Sequence, residues 1–486
     1  MKKQKTKIVI FSPSKLTKKV LEKNKDIYFY GDHKWTINSD VGEKEIGNTN
    51  NSLLPSDSPV SISEILKALE FWHPLIDRWV VGTWSHRKIK QRLCVYIQEI
   101  IFNLIKLDIK AAIFHTAVPH HLDTLSESIS CQLLGIRQVY LVGQNIDGDI
   151  LPVEQSSNIF SRKLLGLEVS LIKKNEKVKS YINRVKLGLK PLGTSKTNFL
   201  YKSIYFAFFF LTLNKILYSM IFLIKNFSLP SNKIVKSLDV DKFPFWSYFK
   251  LLLNQRDYIL AYNKNVKNFR DQLQYNKNLE PCILIMAHYQ PEATTFPLGG
   301  YFDSHTSIIP ALREKGFKNR IFYREHPSTQ IYSDVKKGVS QAGMYRDLEY
   351  LKILEQYECN FVSPYETITA DMWKLTLPLT IGGSIAVERA VQGYCTIVMG
   401  EPWFKEMPGV IHINSIHSLD KINPEWLNYS ENIEKKSKIW LTETLSFKTI
   451  KNCPGISFGF KNKIPSHDKK SLEIYYQELN NLINML

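Results

Sequence analysis

Three side chains suited to acid–base or nucleophilic chemistry each follow a short apolar run in the second half of the sequence. They are Glu292, His326 and Ser384. A carboxylate can act as a base or a nucleophile, an imidazole can move a proton near neutral pH, and a hydroxyl can donate to an anion. The apolar runs are predicted parallel strands, whose carboxyl ends share one edge of a sheet. We therefore expect the three groups to face one ligand.

The strongest local pattern is LPLTIGGSIAVERA. A predicted strand, Leu377–Ile381, runs into Gly382, Gly383 and Ser384 and then into a predicted helix. The glycines let the backbone approach a ligand, Ser384 can cap the helix and donate its hydroxyl, and the exposed N–H groups favour a phosphate. Glu388 lies one turn later on the same helix face. The alternative is an ordinary turn and cap, with Glu388 paired to a lysine; the pattern is neither a Walker loop nor G-x-G-x-x-G.

His326 follows the predicted strand Arg320–Tyr323, and Pro327 prevents that strand from continuing. An imidazole held there can donate to a phosphate oxygen or protonate a leaving group. Arg324 adds positive charge on the same face only if the strand stays regular up to His326. The alternative is that His326 is purely structural.

A stiff turn containing Gln290 and Glu292 follows the predicted strand Cys282–Ala287. We expect both side chains to contact a sugar, with Glu292 as a base or as a nucleophile toward a sugar carbon. The alternative is that Glu292 is an acid at the start of a helix.

The first half of the chain offers a weaker candidate. His120 and Asp123 follow the predicted strand Ala111–Phe114 and precede a predicted helix. Either could deprotonate an acceptor hydroxyl, and the alternative is an ordinary turn and helix cap.

The elements that carry these residues alternate between strands and helices, which predicts α/β architecture with parallel sheets. Further strands are predicted at Lys7–Phe11, Gln138–Val142, Asn360–Ser363, Thr396–Met399 and Val410–Ile413. Helices are predicted from Ser61, where Ser61 and Glu64 have capping-box spacing, across Ile89–Leu107, and in the tail KKSLEIYYQELNNLINML. The composition of residues 40–60 predicts a loop.

Bulk composition narrows the class of protein. The chain has 486 residues, a formal charge of +18 and a pI near 9.3, so we expect two or three domains and anionic partners. The lysines are dispersed, which argues against nucleic acid. Six separated cysteines without C-x-x-C or clustered histidines indicate reduced core residues and no metal site. The apolar run near the N-terminus is too short for a secretory signal, and a cytoplasmic protein is expected.

One apolar segment, Ser203–Ile224, is long enough to cross a bilayer but carries Asn214 and Lys215 at its centre. Burying that lysine in lipid would cost roughly 2.5–3.5 kcal/mol. The segment therefore predicts an aromatic helix lying on an anionic membrane surface, with flanking lysines. The alternative is a buried hairpin of two short helices broken at Asn214.

Four segments resemble the capsule polysaccharide biosynthesis proteins, related to bacterial Kdo and sialic-acid transferases of GT-B fold. They are HYQPEATTFPLGGYF, YREHPS, GGSIAVERAVQGYCTIVMG and AVPHHLDTLSESISCQLLGI, covering most of 281–413 and about 111–136. The resemblance implies a metal-independent transferase using a CMP-activated acidic sugar. It implies that His326 contacts the CMP phosphate, that Ser384 with Gly383 binds the same phosphate, and that Glu292 is the carboxylate near the sugar. This chain has Gly-Ser where relatives often have two serines, and Glu292 where they commonly have aspartate.

The expected protein is thus α/β and GT-B-like, with two Rossmann-like doubly wound domains facing a central cleft. Residues 1–270 would form the acceptor-side domain, with the membrane-surface segment near 199–226, and 271–486 the nucleotide-sugar domain. Expected partners are a nucleotide-sugar donor, a lipid-linked capsule or lipopolysaccharide glycan, and the inner membrane surface, without a cofactor. The alternatives are a UDP-sugar or CDP-polyol transferase, or a non-catalytic assembly or export factor.

Overall fold

Two β-sheets organise the chain in the computed structural model. The structure describes residues 6–11, 13, 21, 27–31, 34–39, 42–46, 59–73, 75–76, 86–116, 119, 122–143, 150–155, 162–165, 175–186, 203–226, 245–274, 280–290, 298–302, 304–332, 342–413, 417–447 and 469–486. The strands are β1 (Ile8–Phe11), β2 (Ile27–Gly31), β3 (Lys34–Ser39), β4 (Gly42–Ile46), β5 (Ala111–Phe114), β6 (Arg137–Gly143), β7 (Ile150–Gln155), β8 (Arg162–Leu164), β9 (Cys282–Met286), β10 (Ile321–Arg324), β11 (Asn360–Val362), β12 (Thr376–Thr380), β13 (Thr396–Val398) and β14 (Val410–His412).

Helices surround both sheets. They are α1 (Ile62–Phe71), α2 (His86–Lys106), α3 (Leu122–Leu133), α4 (Asn175–Lys186), α5 (Ile204–Asn226), α6 (Phe245–Asn265), α7 (Phe269–Gln274), α8 (Ile308–Glu314), α9 (Ala342–Tyr345), α10 (Leu348–Gln356), α11 (Ala370–Trp373), α12 (Ile385–Ala390), α13 (Glu431–Phe447) and α14 (Lys469–Met485). Short 3-10 turns occur at Gly300–Phe302, His305–Ser307, Pro327–Gln330 and Pro424–Trp426.

The second sheet is wholly parallel, in the order β11-β10-β9-β12-β13-β14. Numbered within the sheet, this order is 3-2-1-4-5-6, the doubly wound arrangement in which ligands bind where the order reverses. Here the reversal lies between β9 and β12. All of β12 and nearly all of β9 are buried, as expected for central parallel strands that helices cover on both faces.

The first sheet has the order β4-β3-β2-β1-β5-β6-β7-β8. Its central strands β2, β1, β5 and β6 are parallel, and antiparallel strands extend both edges. The two α/β units confirm the predicted fold class, a GT-B-like pair of Rossmann-type domains.

All nine predicted strands are present, with ends shifted by at most one residue. The capping box of α1 also forms, because the Ser61 hydroxyl accepts the Glu64 N–H while the Glu64 carboxylate accepts the Ser61 N–H. The prediction of a loop over 40–60 is wrong at 42–46. These residues form β4, an edge strand paired with β3.

The alternative of a buried hairpin broken at Asn214 is wrong, because α5 runs unbroken through that residue. Asn214 lies within this helix, and its side chain is half-buried. Among the described residues, no helix is both long and apolar enough to cross a bilayer.

Two helices pack against the half of the chain that does not contain them. The closing helix α14 places Tyr475, Leu479 and Leu482 in the core beneath the first sheet. Conversely, Val178 and Ile182 of α4 pack against α12 and α13 of the second unit. The division of the chain at residue 270 stays a prediction, and the packing crosses it in both directions.

We predict that Leu479→Ala destabilises the first unit although Leu479 lies near the C-terminus. Removing this buried side chain should lower the free energy of unfolding by about 2–5 kcal/mol, since it leaves a cavity under the first sheet. Urea unfolding measures the change. Met485→Ala, on the exposed side of the same helix, is the matched control, and equal effects of the two variants would contradict the packing.

Candidate active site at the reversal point of the second sheet

His326 is held in one tautomer. It precedes the 3-10 turn Pro327–Gln330, and its Nδ1 accepts the Ser328 N–H at 3.1 Å. In the neutral ring the proton must therefore sit on Nε2, which becomes a hydrogen-bond donor. Burial lowers the pKa of His326, with Glu325 acting in the opposite direction and Arg346 adding to the decrease. At neutral pH, then, His326 is an uncharged donor.

The carboxylate of Glu325 is buried directly beneath His326. One oxygen accepts from Arg346 Nε at 2.6 Å and from the hydroxyls of Tyr258 at 2.6 Å and Tyr323 at 3.2 Å. The other accepts from the His326 N–H at 2.7 Å and the Thr329 hydroxyl at 3.3 Å. Five donors compensate this carboxylate for its loss of water.

The guanidinium of Arg346 is equally buried and equally occupied. Its Nη1 donates to the side-chain oxygen of Gln290 and to the Tyr345 carbonyl. Its Nη2 donates to the His288 carbonyl at 3.3 Å and lies 3.4 Å from His305 Nδ1. The face of the guanidinium stacks on the Tyr350 ring at 4.3 Å. Arg346 thus joins the ends of β9 and β10 through side chains from distant parts of the chain.

The Gly382–Gly383 turn is shaped by His288 and Thr380. His288 Nε2 accepts the Gly382 N–H at 3.2 Å and lies 2.7 Å from the Thr380 hydroxyl oxygen, which accepts the Gly383 N–H at 3.0 Å. His288 is neutral, because burial, followed by the nearby His326 and Arg346, lowers its pKa to about 3. A Cβ at Gly383 would lie 2.7 Å from the Thr380 oxygen. Glycine is therefore required there by packing.

Both glycine N–H groups are thus used within the protein, and Ser384 is the exposed donor of the turn. Its hydroxyl donates to Glu388 at 2.8 Å and forms no cap bond to the helix. Burial raises the pKa of the Glu388 carboxyl, partly offset by this hydrogen bond. Within the described ranges no lysine pairs with Glu388. The Ser384 hydroxyl therefore bonds to a side chain in the first turn of α12 and does not cap the helix backbone.

Two further predicted residues, Gln290 and Arg324, are bonded to other parts of the protein. Gln290 is buried, with its side-chain oxygen on Arg346. Arg324 donates to the carbonyls of Pro364 and Glu366, so its charge is directed toward the loop after β11.

In the first unit, Asp123 is half-buried in the first turn of α3. It adds to the burial that raises the pKa of Glu127, one turn further on. Glu292 and His120 lie outside the described residues, so their expected roles stay predictions.

Sequence reasoning missed four residues of this site: His288, Glu325, Arg346 and Thr380. His288 and Glu325 stand beside predicted strand ends, which is a usable signal for polar residues at a ligand edge. Arg346 lies in MYRDLEY, which carries no such signal. Its role follows only from the fold, which brings it to Glu325.

No family model matches the sequence, and the search of curated proteins returned no match. Similar solved structures include UDP-GlcNAc 2-epimerase from Methanocaldococcus jannaschii, at 11% identity and a TM-score of 0.21, covering 79% of this chain and 96% of that one. Another is UDP-GlcNAc 2-epimerase from Neisseria meningitidis bound to UDP-GlcNAc, at 12% identity and a TM-score of 0.21, covering 90% and 98%. At these scores the likeness carries no argument about activity, and the fold assignment rests on the sheet order.

We predict that Arg346→Met lowers the free energy of unfolding by about 3–5 kcal/mol, because it leaves the Glu325 carboxylate buried without its partner. Adding Glu325→Gln should restore part of the loss, since no uncompensated charge remains. Denaturant unfolding measures both variants. Lys374→Met, which breaks an exposed ion pair with Asp371, should change little. A double variant no more stable than Arg346→Met would contradict the ion-pair explanation.

We also predict acid sensitivity from His288. Its pKa is about 3 in the folded chain against 6.5 ordinarily, so between these values the unfolded chain binds a proton that the folded chain excludes. Stability therefore falls as the pH falls through this window. Urea unfolding at about pH 7 and about pH 5 should show a loss that His288→Gln reduces by about 2 kcal/mol. The exposed His417→Gln is the control, and an unchanged pH slope in His288→Gln would refute the assignment.

Proposed function

We propose that this protein is a glycosyltransferase that moves a Kdo-type or nonulosonic-acid sugar from a CMP-activated donor, without a metal, to a capsule or lipopolysaccharide glycan. One observation carries the proposal. A neutral imidazole, His326, keeps its proton on Nε2 next to the reversal point of a doubly wound sheet, where such sheets bind ligands. The resemblance of YREHPS and GGSIAVERAV to capsule polysaccharide biosynthesis proteins supports the same choice of reaction.

The spacing of the strands fits a sugar phosphate. His326 follows β10 and Ser384 follows β12, with β9 between them. Neighbouring strands lie about 4.8 Å apart, so the two strand ends are roughly 10 Å apart. His288 and Gln290, at the end of β9, occupy the interval. In the proposed complex the phosphate lies near Ser384 and His326, and the sugar lies at the end of β9.

The proposed reaction breaks the bond between the anomeric carbon and a phosphate oxygen. The bonding electrons leave with that oxygen, and the His326 Nε2–H donates a hydrogen bond that stabilises its negative charge as CMP departs, while the proton stays on the ring. The acceptor hydroxyl oxygen bonds to the same carbon, and its proton passes to a carboxylate or imidazole. Glu292 is the proposed group near the sugar, and Asp123 or His120 the proposed group on the acceptor side.

Ser384 and Glu388 have a linked role in this proposal. The Ser384 hydroxyl donates a hydrogen bond to Glu388. In the proposed complex it would donate to a phosphate oxygen instead. Burial raises the pKa of the Glu388 carboxyl, and an anion bound at Ser384 would raise it further. Pro327 fixes the turn after His326, and the glycines hold Ser384 in place.

The wider setting of the reaction also belongs to the proposal. The net charge of +18 favours an anionic donor and an anionic bilayer. We place the enzyme on the cytoplasmic face of the membrane, where a lipid-linked acceptor would be presented.

We predict that His326→Ala lowers the rate of CMP release from a CMP-linked acidic sugar by about 10²–10³-fold, because the leaving phosphate loses a hydrogen-bond donor. Ser384→Ala should lower it less, since water can replace the exposed Ser384 hydroxyl more easily than the half-buried His326 ring. Release of free nucleotide from CMP-, UDP- and CDP-linked donors is measured for each variant. The exposed His417→Ala should match the unmodified protein.

Two results would count against the proposal. Full activity in His326→Ala would remove the imidazole from the chemistry. Turnover of UDP- or CDP-linked donors with no turnover of CMP-linked donors would assign a different donor to the same fold. Thermal unfolding of each variant ensures that a loss of rate reflects chemistry.

A further inference from the structure

Helices α5 and α6 carry a continuous set of exposed apolar side chains, here called the α5–α6 aromatic surface. Its members are Tyr205, Phe208, Phe209, Ile216, Leu217, Met220 and Trp246. Tyr205 is 85% exposed, Trp246 73% and Phe209 59%. Scattered exposed apolar residues are ordinary, whereas a concentration of them on adjacent helices marks an interaction surface.

The opposite side of α5 anchors this surface to the second unit. Ala207 and Leu211, four residues apart, are buried against Tyr248 and Leu252 of α6 and against Tyr332. Phe208 also contacts the rings of Phe245 and Phe249. The exposed rings therefore project from a packed helix pair.

Charge indicates what covers the surface. The sequence of α5 contains two lysines, Lys215 and Lys225, and no aspartate or glutamate. Lys215 is exposed and lies 4.8 Å from the centre of the Phe245 ring. Aromatic rings together with lysines suit the headgroup region of an anionic bilayer, where rings enter the apolar boundary and ammonium groups remain with phosphates.

The same helix pair leads to the candidate active site. Trp246 and Tyr258 both belong to α6, and the Tyr258 hydroxyl donates to Glu325. Twelve residues of helix separate them, a distance of about 18 Å. In addition, the Gln255 side chain donates to the carbonyls of Thr329 and Ile331, in and just after the turn that follows His326. If Trp246 were docked on a membrane, α6 would hold His326 at a fixed distance from that membrane.

We propose that the α5–α6 aromatic surface lies in the interface of an anionic lipid bilayer, with the rings of Tyr205, Phe209 and Trp246 inserted among the headgroups. This specifies the membrane partner in the proposed function and rests on it for the location of the acceptor. The binding itself depends only on the residues of this surface, so it can be tested without any transfer reaction.

The test is co-sedimentation of the full chain with vesicles of phosphatidylcholine alone or phosphatidylcholine mixed with phosphatidylglycerol. The unmodified chain should bind the mixed vesicles, more weakly as salt rises. The triple variant Tyr205→Ser, Phe209→Ser, Trp246→Ser should bind at least about tenfold more weakly, because three rings no longer leave water. A matched triple variant at exposed apolar positions elsewhere, Ile62→Ser, Leu348→Ser, Ile439→Ser, should bind like the unmodified chain.

A second measurement does not depend on a polar triple variant folding. Vesicles with brominated acyl chains quench tryptophan that enters the apolar boundary, and Trp246→Phe removes that reporter while preserving an aromatic ring. Quenching should be strong in the unmodified chain and clearly weaker in Trp246→Phe. Equal quenching in both would overturn the proposal.

Other outcomes separate the alternatives. Failure to bind mixed vesicles, together with a dimer that only the Tyr205, Phe209, Trp246 variant loses, would overturn the proposal in favour of a second copy of this chain. Vesicle binding by His326→Ala, itself inactive in nucleotide release, would support membrane docking independently of catalysis. Loss of vesicle binding with full donor turnover in the ring variant would support the proposal by separating docking from chemistry.

Discussion

The buried ion pair between Glu325 and Arg346 is the interaction on which the carboxyl edge of the second sheet depends. Removing two charges from water is costly, and such a pair is tolerated only when hydrogen bonds satisfy the remaining donors and acceptors. Here Glu325 accepts five hydrogen bonds, and Arg346 reaches side chains and carbonyls from three parts of the chain. Tyr258 completes the shell around Glu325. The cost of desolvation is therefore offset only in one arrangement of the loops that carry His288, Gln290 and His326.

The histidines near the edge are neutral mainly because they are buried. Burial lowers the pKa of His288 and of His305, and the buried Arg346 cation lowers both further. Neutral His288 can accept the Gly382 N–H, and this contact shapes the turn that presents Ser384. Neutral His288 therefore links the buried Arg346 to the shape of the turn that presents Ser384.

The sequence predicted the second sheet well because its strands are rich in apolar residues and are mostly buried. It failed at β2, β3, β4, β7 and β8, most of which are antiparallel edge elements with mixed polar composition. Residues directly after strands, such as His326 and Ser384, were predictable from position. Arg346 was not, because its partner Glu325 is 21 residues away, and neither was the contact of His288 with Thr380, 92 residues away. Such pairings depend on the tertiary fold.

Helix α6 connects the candidate site with the exposed aromatic surface, and this connection fixes the distance between them. One end of the helix carries Trp246, while Gln255 and Tyr258 bond to the turn after His326 and to Glu325. Because Trp246 and Tyr258 lie on one helix, the distance from the aromatic end to the buried ion pair is set by the rise of that helix. If the surface rests in a bilayer as proposed, His326 lies at a fixed distance from the membrane. A lipid-linked glycan must then be long enough to span that distance. Acceptors would then be selected partly by the distance between lipid and reacting hydroxyl.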